Sequence, residues 1–562
     1  MQTNTIKRIV TCVSLFLIGC SRLPNGGSLL PASLSDTQTQ EATAIPLARG
    51  TQVITTTVSA NNTTVSNNTG AATATNTAAP ATATPSPTPA KPTDTPTPMP
   101  TPTRVAPTPQ PTPNTIITVN TFEPEVFPFK KNGNCSLGEA IWAAQTQLPQ
   151  DGCKAGGDGG TTIILNSGIY TFAQADTKST IVLPDINLPQ PASALAALPV
   201  IGGQIAIIGN NSTLMRIGTQ AFRFFDVYPS GSLTLNDLTL MGGDPGKLDG
   251  GAIQNFGQTN LISVTLRNNN AYNGGAIANL NETQIVSSLF ISNGARHYGG
   301  ALYGEGGLFA MRDSQLISNT ATEVGGAVYG VRSKFEFEHS VFDSNTSVLG
   351  GAIYNEDSNL ILNDASVVSN NRATQDMGKA AFAYGGGGIV SFGTESVVAI
   401  EDSKLIGNRA NKSSGGALTN WSGSVAITRT IISGNVATVA GAVLDGYFGG
   451  VMTIADGCVL NNESLRETAQ VVAYTKIPLD SSNNWWGSEN GPPLPRTPTP
   501  TITPTPSNTP TPRPTRTPTA TPKTPTTPAA TATDVMTPTP TRTPSPSVIT
   551  SPYLSEAPDI CR

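Results

Sequence analysis

Glycine pairs followed by small and branched residues (GGAI and close variants) recur through the middle of this chain, starting at Gly250, Gly274, Gly299, Gly325, Gly350, Gly386, Gly415 and Ala440, at spacings of 24, 25, 26, 25, 36, 29 and 25 residues. A fixed period of this length defines one structural unit that cannot bury its apolar face alone and must stack on its neighbours as a solenoid. Asparagines keep the same step at Asn269, Asn293, Asn319, Asn345, Asn370, Asn408, Asn435 and Asn462. Eight residues before each Asn stands an apolar residue, from Leu261, Ile285, Met311 and Phe337 to Leu362, Ile400, Ile427 and Ile454. A second apolar file lies three residues before each Asn (Phe290, Leu316, Phe342 and Val367 among them), and a third ends each glycine repeat (Ile277, Leu302, Val328, Ile353, Val443). Each coil thus offers three inward faces.

Runs such as Lys334 to His339 alternate with period two and are rich in branched and aromatic residues, which predicts strands rather than helices. Three strands per coil stacked ~4.8 Å apart give a rod ~60 Å long for roughly a dozen coils, with like side chains piled in ladders. The expected fold is therefore all-β, a three-sheet parallel β-helix of about a dozen coils. Glycines suit corners of positive φ, and a buried Asn file can satisfy corner amides and carbonyls, so the asparagines are read as structural.

These repeats resemble the right-handed parallel β-helix proteins of the pectin-lyase-like superfamily. GGAI with FxxN, here Phe290 to Asn293 and Phe342 to Asn345, is similar to the repeats of chlamydial polymorphic membrane proteins, which are surface adhesins. Upstream, NGNCSLGEAIWAA (Asn132 to Ala144) followed by DGC (Asp151 to Cys153) resembles the CSLREA domain that caps bacterial secreted β-helices, with Gly138 where that family has Arg. NNWWG (Asn483 to Gly487) is similar to the closing motif of such helices. The resemblance covers about residues 115 to 490. It implies, with export, a disulfide between Cys135 and Cys153. Cys458 and Cys561 are left as either a clip for the tail or two free thiols.

Lys7 and Arg8, an apolar run from Ile9 to Ile18, and Gly19 with Cys20 make a secretion signal too short to span a bilayer. Leu17 to Cys20 resembles the bacterial lipobox, which implies cleavage before Cys20, acylation of its thiol, and a membrane partner reached through that lipid. The expected organisation is a signal at 1–19, a Thr/Pro-rich disordered stalk at 20–114, a cap at 115–172, the β-helix at 173–490 and a Pro/Thr-rich tail at 491–562. Pro80 to Pro113 and the tail hold almost no large apolar residues and cannot build a core. As polyproline II the first stretch spans on the order of 100 Å.

Charge narrows the partners. The chain carries −5 overall, but with the signal, stalk and tail removed the central segment holds 20 basic against 31 acidic residues, a net −11. Such a field repels polyanions, so nucleic acid and acidic polysaccharide are disfavoured.

Chemistry has few places to sit. Six residues before each ladder Asn runs an outward file that includes Asp313, His339, Asp364 and Asp402. Neighbouring coils bring these within about 5 Å, close enough to couple or to hold a cation, although Asp also suits a corner as an Asx turn. They are the catalytic candidates if the chain is a polysaccharide lyase or glycoside hydrolase, the one case in which Ca²⁺ is expected; no other cofactor or metal is. DD, GHG and RIK motifs, HExxH, paired CxxC and a nucleophile elbow are missing from the sequence. The favoured expectation is an adhesin or structural surface module. Its candidate contacts are Tyr303, Tyr329 and Tyr354, placed outward by alternation and suited to a neutral glycan or a surface protein, with Asp376, Lys379, Phe382 and Tyr384 in the longest coil. Outward placement implies that replacing the three tyrosines by Ser leaves the fold intact.

Overall fold

The structure is a computed structural model that describes residues 115–176, 195–374, 385–439, 441–446, 450–465, 473–474, 481–487, 557 and 559–561. The signal, the stalk, nearly all of the tail and the inserted segment of the longest coil lie outside these residues.

The chain winds as a parallel β-solenoid. One coil shows the plan: strand Lys334–Glu338 meets a corner at His339, strand Val341–Asp343 leads to Asn345, the short strand Thr346–Ser347 reaches the glycine pair, and strand Ile353–Glu356 closes the turn. Each strand pairs in parallel with its counterparts in the coils before and after, so Phe337 faces Met311 on one side and Leu362 on the other. The result is three sheets of 21, 8 and 10 strands. Complete coils number about nine, bounded by the two smaller sheets. The expected dozen applies to the file that Thr115–Thr118 and Thr161–Ile164 of the cap prolong.

The three apolar files fill the interior, and Leu261, Ile285, Met311, Phe337, Leu362, Ile400, Ile427 and Ile454 are all buried. Each inward side chain lies over its equivalent one coil away, which brings the rings of Phe309 and Phe335 to 5.7 Å in a stacked pair. Two positions differ from the sequence expectation. Val368, not Val367, is the inward residue of its coil, and Leu444, not Val443, pairs with Leu418.

The first shift has a single cause that also moves the ladder. Asp364 and Ala365 both adopt left-handed φ (49° and 62°), so this corner carries one more residue than its neighbours, and Asn371 rather than Asn370 enters the ladder. Asn370 turns outward and donates to Asp343 (2.8 Å). Along the ladder, Asn319 is typical. Its amide N–H and its Nδ2 both donate to Oδ1 of Asn345 (2.9 and 3.0 Å), and Nδ2 also donates to the carbonyl of Phe290 (3.0 Å). The same bonds repeat from Asn269 to Asn462. Every donor and acceptor of these buried amides is used, so they lie in the core without the penalty of an unpaired polar group.

The two glycines of each pair are required for different reasons. The first of Gly299, Gly325 and Gly350 has φ of 61° to 67°, where any Cβ is strained. The second does not, yet a Cβ on Gly326 would sit 2.0 Å from the carbonyl oxygen of Gly351, and one on Gly300 equally close to that of Gly326. Backbone packs on backbone along this file.

Both ends are closed. At the start, helix Leu137–Thr146 begins with a capping box in which Ser136 and Glu139 satisfy each other's backbone amides. Its apolar face (Leu137, Ala140, Ile141) is buried against the first strands, and Cys135 is bonded to Cys153. A Cβ on Gly138 would lie 2.4 Å from the Glu125 carbonyl, so no side chain fits where the resembled family carries Arg. At the far end Trp485 bridges to Cys458, Trp486 is buried, and Cys458 is bonded to Cys561. Of the two alternatives left by the sequence, the clip is the one formed.

Close backbone packing makes a sharp prediction. Gly326→Ala should cost about 1–3 kcal/mol or more of stability by forcing coils apart, whereas Gly294→Ala, whose Cβ would meet only a side-chain oxygen at 3.3 Å, should melt near the parent. Equal melting temperatures in thermal denaturation would contradict the packing account.

Candidate functional site

The outward corner file comes from backbone geometry. Asp313, His339, Asp364 and Asp402 all have φ between 45° and 51°, as do Ser287 and Arg429 near them in sequence. Short polar residues tolerate this left-handed conformation better than branched ones, which accounts for most residue types in the file. Asp237, one of its early members, caps the amide of Asn211 (3.0 Å).

Side chains along the file pair rather than converge. His339 Nδ1 lies 2.7 Å from Asp313 Oδ1, with Arg312 Nε 3.3 Å from the other oxygen. Asp402 takes both prongs of Arg429 (2.8 Å each), and Glu401 takes a third contact from the same guanidinium. These carboxylates push the Arg429 pKa further up, the Asp402 hydrogen bond most of all. Asp364 sits at the bulged corner between the two pairs. Among the described residues no three His, Cys, Asp or Glu side chains group as a metal site.

Directly after the corner comes a second ladder that the sequence reading missed. The Ser288 amide donates to Oγ of Ser314 (3.0 Å), the Ser340 amide to Oγ of Ser366 (3.1 Å), and each hydroxyl returns a bond to a corner carbonyl of its own coil. Its signal is a Ser or Thr directly after Ser287, Asp313, His339, Asp402 and Arg429, and one residue later, at Ser366, where Ala365 lengthens the corner. The file therefore has a structural function of its own, fixing the corner between two strands.

The tyrosines require a correction. Tyr303, Tyr329 and Tyr354 do point away from the interior and stack on one another at 5.6 and 5.8 Å, but they are buried, with Tyr329 only 2% exposed. The segment before each glycine pair folds back over this sheet. Tyr298, Val324 and Leu349 form a second apolar cluster with the stack, and the Tyr298 ring lies 4.9 Å from that of Tyr329. These three rings offer no open aromatic face, and three serines here would remove core packing rather than surface contacts. Asp376, Lys379, Phe382 and Tyr384 lie outside the described residues.

Two carboxylates end this buried layer. Tyr303 Oη donates to Glu305 (3.0 Å) and Tyr329 Oη to Glu356 (2.6 Å). Burial raises all three tyrosine pKa values, and the neighbouring carboxylates add to it. Burial also raises the Glu356 pKa above its ordinary value of 4.5, against the lowering effect of the Tyr329 hydrogen bond.

With this geometry in hand, the comparisons are narrow. The Chlamydia polymorphic membrane protein (Chlamydia_PMP) repeat model matches residues 339–356, the part of one coil from the His339 corner to Glu356. The A-module of the Azotobacter vinelandii mannuronan C-5 epimerase AlgE4 is similar at 12% identity over 63% of this chain and 96% of that chain, with a TM-score of 0.22, too low to carry any argument. No curated protein sequence matches.

Glu356 sets a pH test. Below pH 4.5 its carboxyl is protonated whether the chain is folded or not. As pH rises past that value ionisation proceeds first in the unfolded chain, so stability falls until the higher folded pKa is passed. Glu356→Gln, which still accepts from Tyr329, should raise the melting temperature at pH 7 and match the parent at pH 4. A gain equal at both pH values would contradict the assignment.

Proposed function

We propose that this chain is an exported protein, held to the cell envelope by lipid on Cys20, that displays a rigid β-solenoid and acts by contact rather than by catalysis. The carrying observation is the pairing along the corner file: Asp313 is in hydrogen-bond contact with His339, and Asp402 is ion-paired with Arg429 elsewhere along the same edge. A depolymerase needs acids gathered in a cleft, and this arrangement spreads them along an edge. The repeat match supports surface display, since the family it belongs to is named for membrane proteins. Disulfides at both ends of the solenoid fit an oxidising compartment.

The lyase or hydrolase reading keeps one observation in its favour. The Asp313–His339 pair is exposed and close, at 2.7 Å, and is the one carboxylate–imidazole contact on the catalytic candidate file. Ca²⁺ belongs to that reading alone.

Two measurements separate these. Cys20→Ser should move the protein from the membrane fraction to the soluble or secreted fraction, and continued membrane retention would reject the anchor. Purified protein incubated with pectate, alginate and neutral glycans, with and without Ca²⁺, should release neither unsaturated products nor reducing ends. Turnover that disappears in Asp364→Asn would establish the enzyme instead.

A further inference from the structure

An open groove of about 660 Å³ runs along the edge where the Tyr-bearing sheet hands over to the long sheet. It exists because one turn lacks side chains. The connection there is Gly306–Gly307, while the next coil has Arg332–Ser333 and the previous one Leu280–Asn281. A Cβ built on Gly306 meets nothing within 4 Å, so the notch is open to solvent.

Half-buried Leu308 forms its floor. Parallel register places Glu282 on one side of Leu308 and Lys334 on the other, about 10 Å apart across two strand spacings. Glu282 is oriented by Gln284 (2.8 Å), and Lys334 is drawn to Glu336 (2.5 Å) with half of its side chain exposed. Arg332 adds a second donor on the Lys334 side, held loosely by Glu305 (3.4 Å). Around Leu308 the groove therefore offers an apolar floor with the Glu282 carboxylate on one side and two cationic donors on the other, and Asp357 and Glu395 complete its charged rim.

We propose that this groove binds a neutral glycan bearing N-acetylated hexosamine. An acetamido group carries the three matching features in the same order: an N–H for Glu282, a methyl for Leu308, and a carbonyl oxygen for Lys334 or Arg332. Polyanions are opposed by the net charge of −11 on the segment 115–490, counted as 20 basic against 31 acidic residues. The groove's own charged lining is mixed, with Glu282, Asp357 and Glu395 beside Arg332 and Lys334, which suits a neutral ligand that carries both a donor and an acceptor. The volume lies within the range of small-molecule sites, about 300–1,000 Å³. This assignment rests on the contact reading given above and supplies the ligand class for it.

The test is calorimetric titration of the full-length protein with tri-N-acetylchitotriose, alongside maltotriose, trigalacturonate and a short zwitterionic peptide. Saturable binding to the acetylated sugar is expected, weakened about tenfold or more in Gly306→Asn, which fills the notch at a φ of +70° that Asn tolerates, and in Lys334→Glu. Both variants should melt with the parent. Equal affinity in both folded variants, tighter binding of maltotriose, trigalacturonate or peptide, or no binding of the acetylated sugar would overturn the proposal. Adhesion of the parent to cells, measured beside it, separates the two failures: adhesion without binding to the acetylated sugar removes this groove alone, while absence of both removes the contact reading as well.

Discussion

The structure depends on one constraint, that every coil must present the same hydrogen-bonding edge to the next. The Asn file meets it. Each amide spans the gap between coils with two donors and two acceptors in use, and it is buried at nearly every rung. A slip of one residue in any coil would leave a buried amide unpaired and turn the inward file outward. Across the coil, stacked glycine backbones demand the same registration by steric contact. Polar satisfaction on one side and close packing on the other make the repeat spacing a structural requirement, while residues on the outer faces are free to vary.

That division explains what was legible. Files three and eight residues before each Asn were readable because a solenoid repeats its interior, and the period survives a change in coil length. The slip at Asn370 arose where two asparagines stand together and an extra residue, Ala365, lengthens the corner. Spacing alone cannot choose between adjacent identical residues; the ladder geometry does. The corner residues were found as a file and their Asp members were read as suited to a corner turn; the left-handed backbone that also admits Ser, His and Arg there comes from the structure.

Tyr303, Tyr329 and Tyr354 show a deeper limit. Alternation along a strand distinguishes the interior of the solenoid from its outside. It does not reveal whether the outside is covered. Covering comes from Tyr298, Val324 and Leu349, one per coil, just ahead of the glycine pair and separated from the tyrosines by a turn. The glycines allow that segment to lie flat on the sheet, so the features that mark the repeat also close its aromatic face. Contact chemistry is displaced to the edges of the coil, where a turn such as Gly306–Gly307 leaves a notch and charges of both signs stand across it.

The central claim is that the Asn ladder fixes the register of the whole rod. Native-state hydrogen exchange of the ladder amides tests it most directly, because the backbone N–H groups of Asn319, Asn345 and Asn371 each bond to a side chain one coil away. These amides should exchange among the slowest in the protein, at similar rates along the central coils. Exchange as fast as that of exposed corner amides, or protection confined to one or two coils, would contradict a continuous ladder and the alignment built on it.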